Sequence, residues 1–202
     1  GFVPCGTCGS TMSSPKVLAF AGSTRKESVN KRLARIALQA AKKAGAETTF
    51  VDLQDFNIPL YCDDLVAKEG IPEGVLQFKQ LLNSHNGFFI ASPEYNGSLT
   101  GVLKNAIDWA TIKADGEERM SCWNGKIAGL VSASPGGLGG IRGLHHLRTI
   151  LAGIGTFVLP NHLAVGNSTE NLQNEKQITD EKLQLQLESL THEMVRVIRA
   201  LH

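Results

Sequence analysis

Short apolar runs alternate along the chain with stretches in which apolar residues recur every three or four positions. Lys16–Ala21 (KVLAFA) is an apolar run closed by Gly22-Ser23 and reads as a buried strand. Val29, Leu33, Ile36, Ala37, Ala40 and Ala44 then repeat at helical spacing, with Ser28 placed to cap the start and Gly45 just past the end. Residues 48–53 read as a second strand. Residues 55–70 read as irregular, because Pro59 and Gly70 interrupt them and Pro72 follows. Val75, Phe78, Leu81 and Leu82 mark a helix on about residues 73–84, and Gly87–Ala91 (GFFIA) is a third strand. A helix carrying Leu99, Val102, Leu103, Ala106 and Trp109 follows a loop. Residues 126–132 form a fourth strand, and a glycine-rich loop leads to a helix through Leu144, Leu147 and Leu151. Residues 155–159 read as a fifth strand, and a last helix on about residues 179–201 carries Leu183, Leu187, Leu190, Met194, Val197 and Leu201 on one face.

Strands alternating with helices build βαβ units, hence a five-stranded parallel sheet with helices on both faces. In such a sheet, ligands bind beyond the carboxyl ends of the strands where the strand order reverses. The loops after strands one, three and four therefore hold the candidate chemistry.

Gly22-Ser23-Thr24-Arg25-Lys26-Glu27-Ser28-Val29-Asn30 follows strand one and runs into a helix start. It collects hydroxyls, an amide, a guanidinium and free backbone N–H groups, which is what holding a phosphate requires. It matches neither a P-loop nor G-x-G-x-x-G, and the same residues also suit a plain polar capping turn. Ser92-Pro93-Glu94-Tyr95-Asn96-Gly97-Ser98 follows strand three. Tyr95 offers a flat face and Asn96 an amide, which suit a planar heteroaromatic ring, and an ordinary β-to-α turn fits them too. After strand four, Ser134-Pro135-Gly136-Gly137-Leu138-Gly139-Gly140 would let backbone N–H groups approach a ligand closely, or would simply be a mobile glycine loop. Together the three loops describe one crevice with a phosphate end and a ring end.

Composition narrows the partners. The chain has 202 residues, with 20 Lys and Arg against 19 Asp and Glu. A net charge of +1 lacks the basic excess of a nucleic-acid binder, and no apolar run approaches a membrane span. Residues 1–15 contain no Lys or Arg, so they resemble neither a secretory signal nor a mitochondrial presequence. They read as a flexible tail before a domain on 16–202, with Met12 the expected initiator and residues 1–11 a leader. Cys5 and Cys8 form a C-x-x-C within that tail, with no further ligands at zinc-site spacing; Cys62 and Cys122 complete the four cysteines, and reduced thiols in a cytoplasmic setting are expected. His145 and His146 read as surface or interface residues, and Trp109 and Trp123 as core or interface anchors. Receiver domains share this architecture but need acidic residues where Gly22-Ser23 and Ser92-Pro93 stand.

Gly22-Ser23-x-Arg25 with Ser28 and Asn30, then Ser92-Pro-Glu-Tyr-Asn96 followed by Ser98-Leu99 and Leu103-Lys-Asn-Ala-Ile-Asp-Trp109, resemble the NAD(P)H-dependent FMN reductase family. Ser132 through Gly139-Gly140-x-Arg142 to His146-Leu147-Arg148 is similar to the same family's third signature. The resemblance implies a flavodoxin-like three-layer sandwich that binds FMN. Ser23, Arg25, Ser28 and Asn30 would grip the phosphate. Pro93, Glu94, Tyr95 and Asn96 would line the isoalloxazine mainly through backbone groups, and Ser134, Gly136 and Gly137 would close its pyrimidine or dimethylbenzene side. It further implies NADPH or NADH as co-substrate and a small-molecule electron acceptor (quinone, azo compound, metal oxyanion or flavin) reduced in a ping-pong cycle. No catalytic acid or base is required, and Tyr95 would shape the site that nicotinamide and acceptor share. A homodimer or homotetramer is expected, with the Leu99-to-Trp109 helix helping to bury the interface. Pro135 beside the glycines departs from the pattern, and the charged segment 114–124 has no assigned role. The alternatives are a flavodoxin-type electron carrier, against which the near-neutral charge weighs, and a nucleotide-binding module without turnover.

Overall fold

A computed structural model describes residues 13–202. The Cys5-x-x-Cys8 pair, Met12 and most of the expected tail lie outside the described residues. Five parallel strands form one sheet: β1 (Lys16–Ala21), β2 (Glu47–Phe50), β3 (Gly87–Ala91), β4 (Ile127–Ala133) and β5 (Phe157–Val165), in the order β2-β1-β3-β4-β5. The order reverses between β1 and β3, which is the flavodoxin-like arrangement, and it brings the three polar loops to one end.

Helices α1 (Val29–Lys43) and α7 (Glu181–Leu201) cover one face, while α3 (Glu73–Ser84), α4 (Gly101–Thr111) and α5 (Ile141–Gly153) cover the other. Strand pleating sorts the side chains between them. Val17, Ala19, Ala21, Phe89, Ala91 and Val131 pack toward α1 and α7, whereas Leu18, Phe20, Phe88, Ile90, Ala128 and Leu130 pack toward the other layer. Because β1, β3 and β4 are buried on both faces, they read as continuous apolar runs. Trp109 and Trp123 are fully buried, as core anchors.

Several elements differ from the sequence expectation. β2 ends at Phe50 instead of continuing to Leu53, because Asp52 leaves the sheet: one carboxylate oxygen accepts from Gln54 N–H and caps a 3-10 turn, Leu53–Phe56, and the other pairs with buried Lys31 Nζ at 2.6 Å. The expected irregular stretch contains α2 (Asp63–Glu69), which buries none of its residues and so leaves no apolar periodicity to detect. β5 runs nine residues, well past Leu159. Pro160 sits in a bulge where the β4 pairing jumps from Val158 to His162, a position an edge strand tolerates. A short helix, α6 (Ser168–Asn171), follows it.

The charged 114–124 segment is anchored at the amino end of the sheet, away from the three loops. Lys79, only 1% exposed, pairs through Nζ with Glu117 Oε2 at 2.6 Å and donates to the Ile112 carbonyl. Burial raises the Glu117 carboxyl, but its bonds from Lys79 and from Ala114 N–H outweigh that and hold it below the usual carboxylate range. Beneath it, burial pushes the Cys122 thiol up to about 11, so it behaves as an apolar core residue.

Two histidines are expected to make stability pH-dependent. Burial lowers His85 against an opposing bond to the Leu81 carbonyl, and Lys16 and Lys126 lower it further. Burial also lowers His162, helped by Arg148, whose guanidinium can only donate to Nδ1 at 3.2 Å, and by His145 stacked edge-on at 5.4 Å. An unfolded histidine takes a proton near pH 6.5, so below that the unfolded state binds more protons. Their contribution is therefore fully present above about pH 6.5 and is lost as pH falls toward the depressed folded values. Urea unfolding is expected to show a lower midpoint at pH 5.5 than at 7.5, and His162→Gln should flatten part of that slope. A wild-type midpoint that rises on acidification contradicts this.

Candidate functional site

The loops after β1, β3 and β4 meet at the carboxyl end of the sheet. In the first, Gly22 lies hard against α4: a Cβ there would sit 2.8 Å from Leu103 Cβ. Ser23 and Ser28 are mostly buried, while Arg25 is exposed. Ser28 stands at the N-cap of α1, yet its hydroxyl makes no capping bond, and the first bond into the helix runs from Arg32 N–H to Ser28 O. The N–H groups of Val29, Asn30 and Lys31 thus form a helix start without intrahelical partners. Asn30 places only its backbone there. Its carboxamide turns away, donating to Ala133 O at 3.0 Å and accepting from Ala133 N–H at 2.9 Å.

In the second loop, Tyr95-Asn96-Gly97-Ser98 is a tight turn closed by Tyr95 N–H to Ser98 O at 2.9 Å and Ser98 N–H to Tyr95 O at 3.1 Å. Asn96 and Gly97 have φ of 53° and 77°, the pair of left-handed residues that an Asn-Gly sequence favours. Pro93 is buried beneath it, and the Tyr95 ring is 60% exposed. The Glu94 carboxylate is 9% exposed and points to α5, accepting from Arg142 N–H at 3.1 Å and Arg142 Nε at 2.7 Å. That leaves Glu94 its backbone for a ligand, and no general-base geometry.

The third loop is braced from beneath. Ser132 Oγ donates to Gly139 O at 2.6 Å, and Ser134 N–H donates to Val165 O at 3.1 Å. Gly136 and Gly137 differ from the glycines that follow them. Their φ values are ordinary, and a Cβ on Gly137 would meet nothing within 4 Å. The protein's own packing does not demand glycine at Gly137, so the open backbone faces space that a flat ligand can use. This fits a flavin: ring against the backbone of the second and third loops, phosphate against the hydroxyls and helix start of the first.

Sequence reasoning missed Thr100. It caps α4 by accepting from Leu103 N–H at 3.2 Å, and it donates to Gly22 O at 2.6 Å. A threonine just before an apolar-periodic stretch is a helix-start signal, and it sets the start of α4 at Gly101, leaving Leu99 outside the helix. His146 Nδ1 lies 2.9 Å from Ser98 Oγ beside the turn, and His145 stacks on His162.

A parallel sheet in this order, with a hydroxyl-rich helix start at the switch point and an open glycine backbone beside it, defines a flavodoxin-like protein. The NADPH-dependent FMN reductase model matches residues 15–170, and the chain belongs to that family. It is 34% identical over 181 residues to an NAD(P)H-dependent FMN reductase of Pseudomonas aeruginosa, covering 87% of this chain and 92% of that protein. It is 39% identical over 143 residues to a probable NADPH:quinone oxidoreductase of Oryza sativa subsp. japonica, a match covering 68% of this chain but only 66% of the rice protein. Among solved structures, the flavoenzyme NAD(P)H:(acceptor) oxidoreductase FerB of Paracoccus denitrificans superposes with a TM-score of 0.76 at 30% identity, over 93% of this chain and 98% of that one.

Proposed function

We propose that this chain is an NAD(P)H-dependent FMN reductase that passes electrons to quinones and related small acceptors. The observation that carries the reading is the cradle itself, with a hydroxyl-rich helix start beside a backbone-lined slot, in a chain that belongs to the FMN reductase family. Ser23, Arg25, Ser28 and the Asn30 N–H hold the phosphate. Pro93, Glu94, Tyr95 and Asn96 would line the ring, and Ser134, Gly136 and Gly137 would close its pyrimidine or dimethylbenzene side. FMN supplies the hydride acceptor and donor when bound. The protein's part is to bind, orient and stabilise: N–H groups of the glycine loop would favour negative charge on a bound flavin, and exposed Tyr95 would shape the place where nicotinamide and acceptor stack in turn. FMN is expected to quench with one-to-one stoichiometry, and NAD(P)H:quinone turnover to give the parallel double-reciprocal lines of a ping-pong cycle. Intersecting lines contradict the shared site.

No helix among the described residues is long and apolar enough to cross a membrane. We place a second copy of the chain on the cleft of about 500 Å³ between α4 and α5, lined by Leu99, Thr100, Lys104, His146 and Ile150. Sedimentation should show a dimer or tetramer that Ile150→Glu dissociates; a monomeric wild type overturns that assembly.

A further inference from the structure

Each of the three loops is tied to another by a side chain. Thr100 joins the second to the first: its Oγ1 holds Gly22 O at 2.6 Å while the same oxygen caps α4 through Leu103 N–H. Asn30 joins the first to the third, its carboxamide pairing with both the N–H and the carbonyl of Ala133, as a neighbouring strand would. Glu94 joins the second to the exit of the third, its carboxylate bridging Arg142 N–H and Nε at the start of α5, where the helix dipole favours a negative charge. All three side chains are almost wholly withdrawn from solvent.

We infer that Thr100, Asn30 and Glu94 are positioning residues that lace the three loops into a flavin cradle, an inference that rests on the flavin reading above. Their side-chain polar atoms are spent on the protein, so they act through the backbone they fix. Thr100 shows how. Pinning the Gly22 carbonyl onto α4 turns the Ser23 N–H, on the far side of the same trans peptide, away from Thr100. Gly22 N–H, in the preceding peptide, is held by Ala91 O at 2.9 Å, so Gly22 is fixed on one side by β3, and a flip of the Gly22–Ser23 peptide would break the bond to Thr100. Ser23 is thereby presented to the phosphate without being rearranged on binding, which removes an ordering cost from the affinity. Asn30 does the same for the helix start, since its side chain anchors the residue whose N–H faces the phosphate. Glu94 acts at the ring end, holding the second loop at a fixed spacing from the glycine loop.

The roles separate by ligand. FMN and riboflavin share the ring and differ in the phosphate, so the ratio of their affinities reads the first loop alone. Thr100→Val keeps the shape of the side chain and removes both bonds; it is expected to weaken FMN binding about tenfold and leave riboflavin within twofold. Thr100→Ser, which keeps the oxygen, should restore FMN affinity to within twofold of wild type. Glu94→Gln, which removes the ion pair, should weaken both flavins alike and leave the ratio unchanged. Fluorescence-quenching titrations of the four proteins with both flavins, alongside urea midpoints, make the measurement. A Thr100→Val protein that loses both flavins equally or neither, or that serine does not rescue, overturns the inference. So does a Glu94→Gln protein that changes the ratio or binds as wild type; this arm also decides if Thr100→Val does not fold. A wild-type chain that binds neither flavin overturns the flavin reading itself, and this inference with it.

Discussion

Gly139→Ala is expected to lose FMN binding, while Gly137→Ala, two residues away, keeps its fold and weakens the flavin alone. Gly139 has a φ of 64°, and a Cβ there would sit 2.7 Å from Gly166 N and 2.8 Å from the carbonyl carbons of Ala164 and Val165. Those are backbone atoms on the far side of the loop, so relief requires moving the carboxyl end of β5. Left-handed strain and overpacking together cost about 2–5 kcal/mol. Urea unfolding should register that loss, and the displaced loop should lower FMN affinity by at least roughly 100-fold, the equivalent of about 2.7 kcal/mol. Gly137→Ala puts its methyl into open space, where nothing in the protein lies within 4 Å. Its unfolding midpoint should match wild type, with weaker FMN binding because the methyl occupies the slot of the ring. Equal flavin affinities for wild type and Gly137→Ala would remove that loop from the site.

Arg25→Ala is expected to cost FMN binding roughly 10- to 100-fold, since a charge-assisted bond to phosphate is worth about 1.5–3 kcal/mol. Arg25 is exposed at the mouth of the first loop and packs no core, so stability should stay within about 0.5 kcal/mol of wild type. Riboflavin affinity should be unchanged. An equal loss for FMN and riboflavin would mean that the phosphate lies elsewhere.

The central strands were legible because β1, β3 and β4 are buried on both faces and cannot be mistaken for anything amphipathic. The ends of the sheet were less so. β2 is half-buried, and where it stops is decided by Asp52 reaching Lys31 and Gln54, contacts that no apolar pattern encodes. β5 continues through Pro160, a residue that reads as a stop unless the strand is already known to be an edge. The site followed the same division. Hydroxyls and glycines clustered after three strands mark the crevice from sequence, but which atoms remain free within it is a matter of tertiary pairing. Asn30 and Glu94 look like ligand residues in the chain, and in the fold their side chains bind Ala133 and Arg142. Thr100 had a visible helix-cap signal, and its second partner, Gly22, lies 78 residues away in the chain.

The central claim is hydride transfer from a nicotinamide nucleotide to flavin held in this cradle. An anaerobic absorbance scan of the FMN-reconstituted protein, before and after one equivalent of NADPH and then of NADH, tests it most directly. Bleaching of the oxidised flavin band by at least one nucleotide, reversed by added quinone, is the predicted result. Bound flavin that neither nucleotide bleaches would contradict it and indicate an electron carrier.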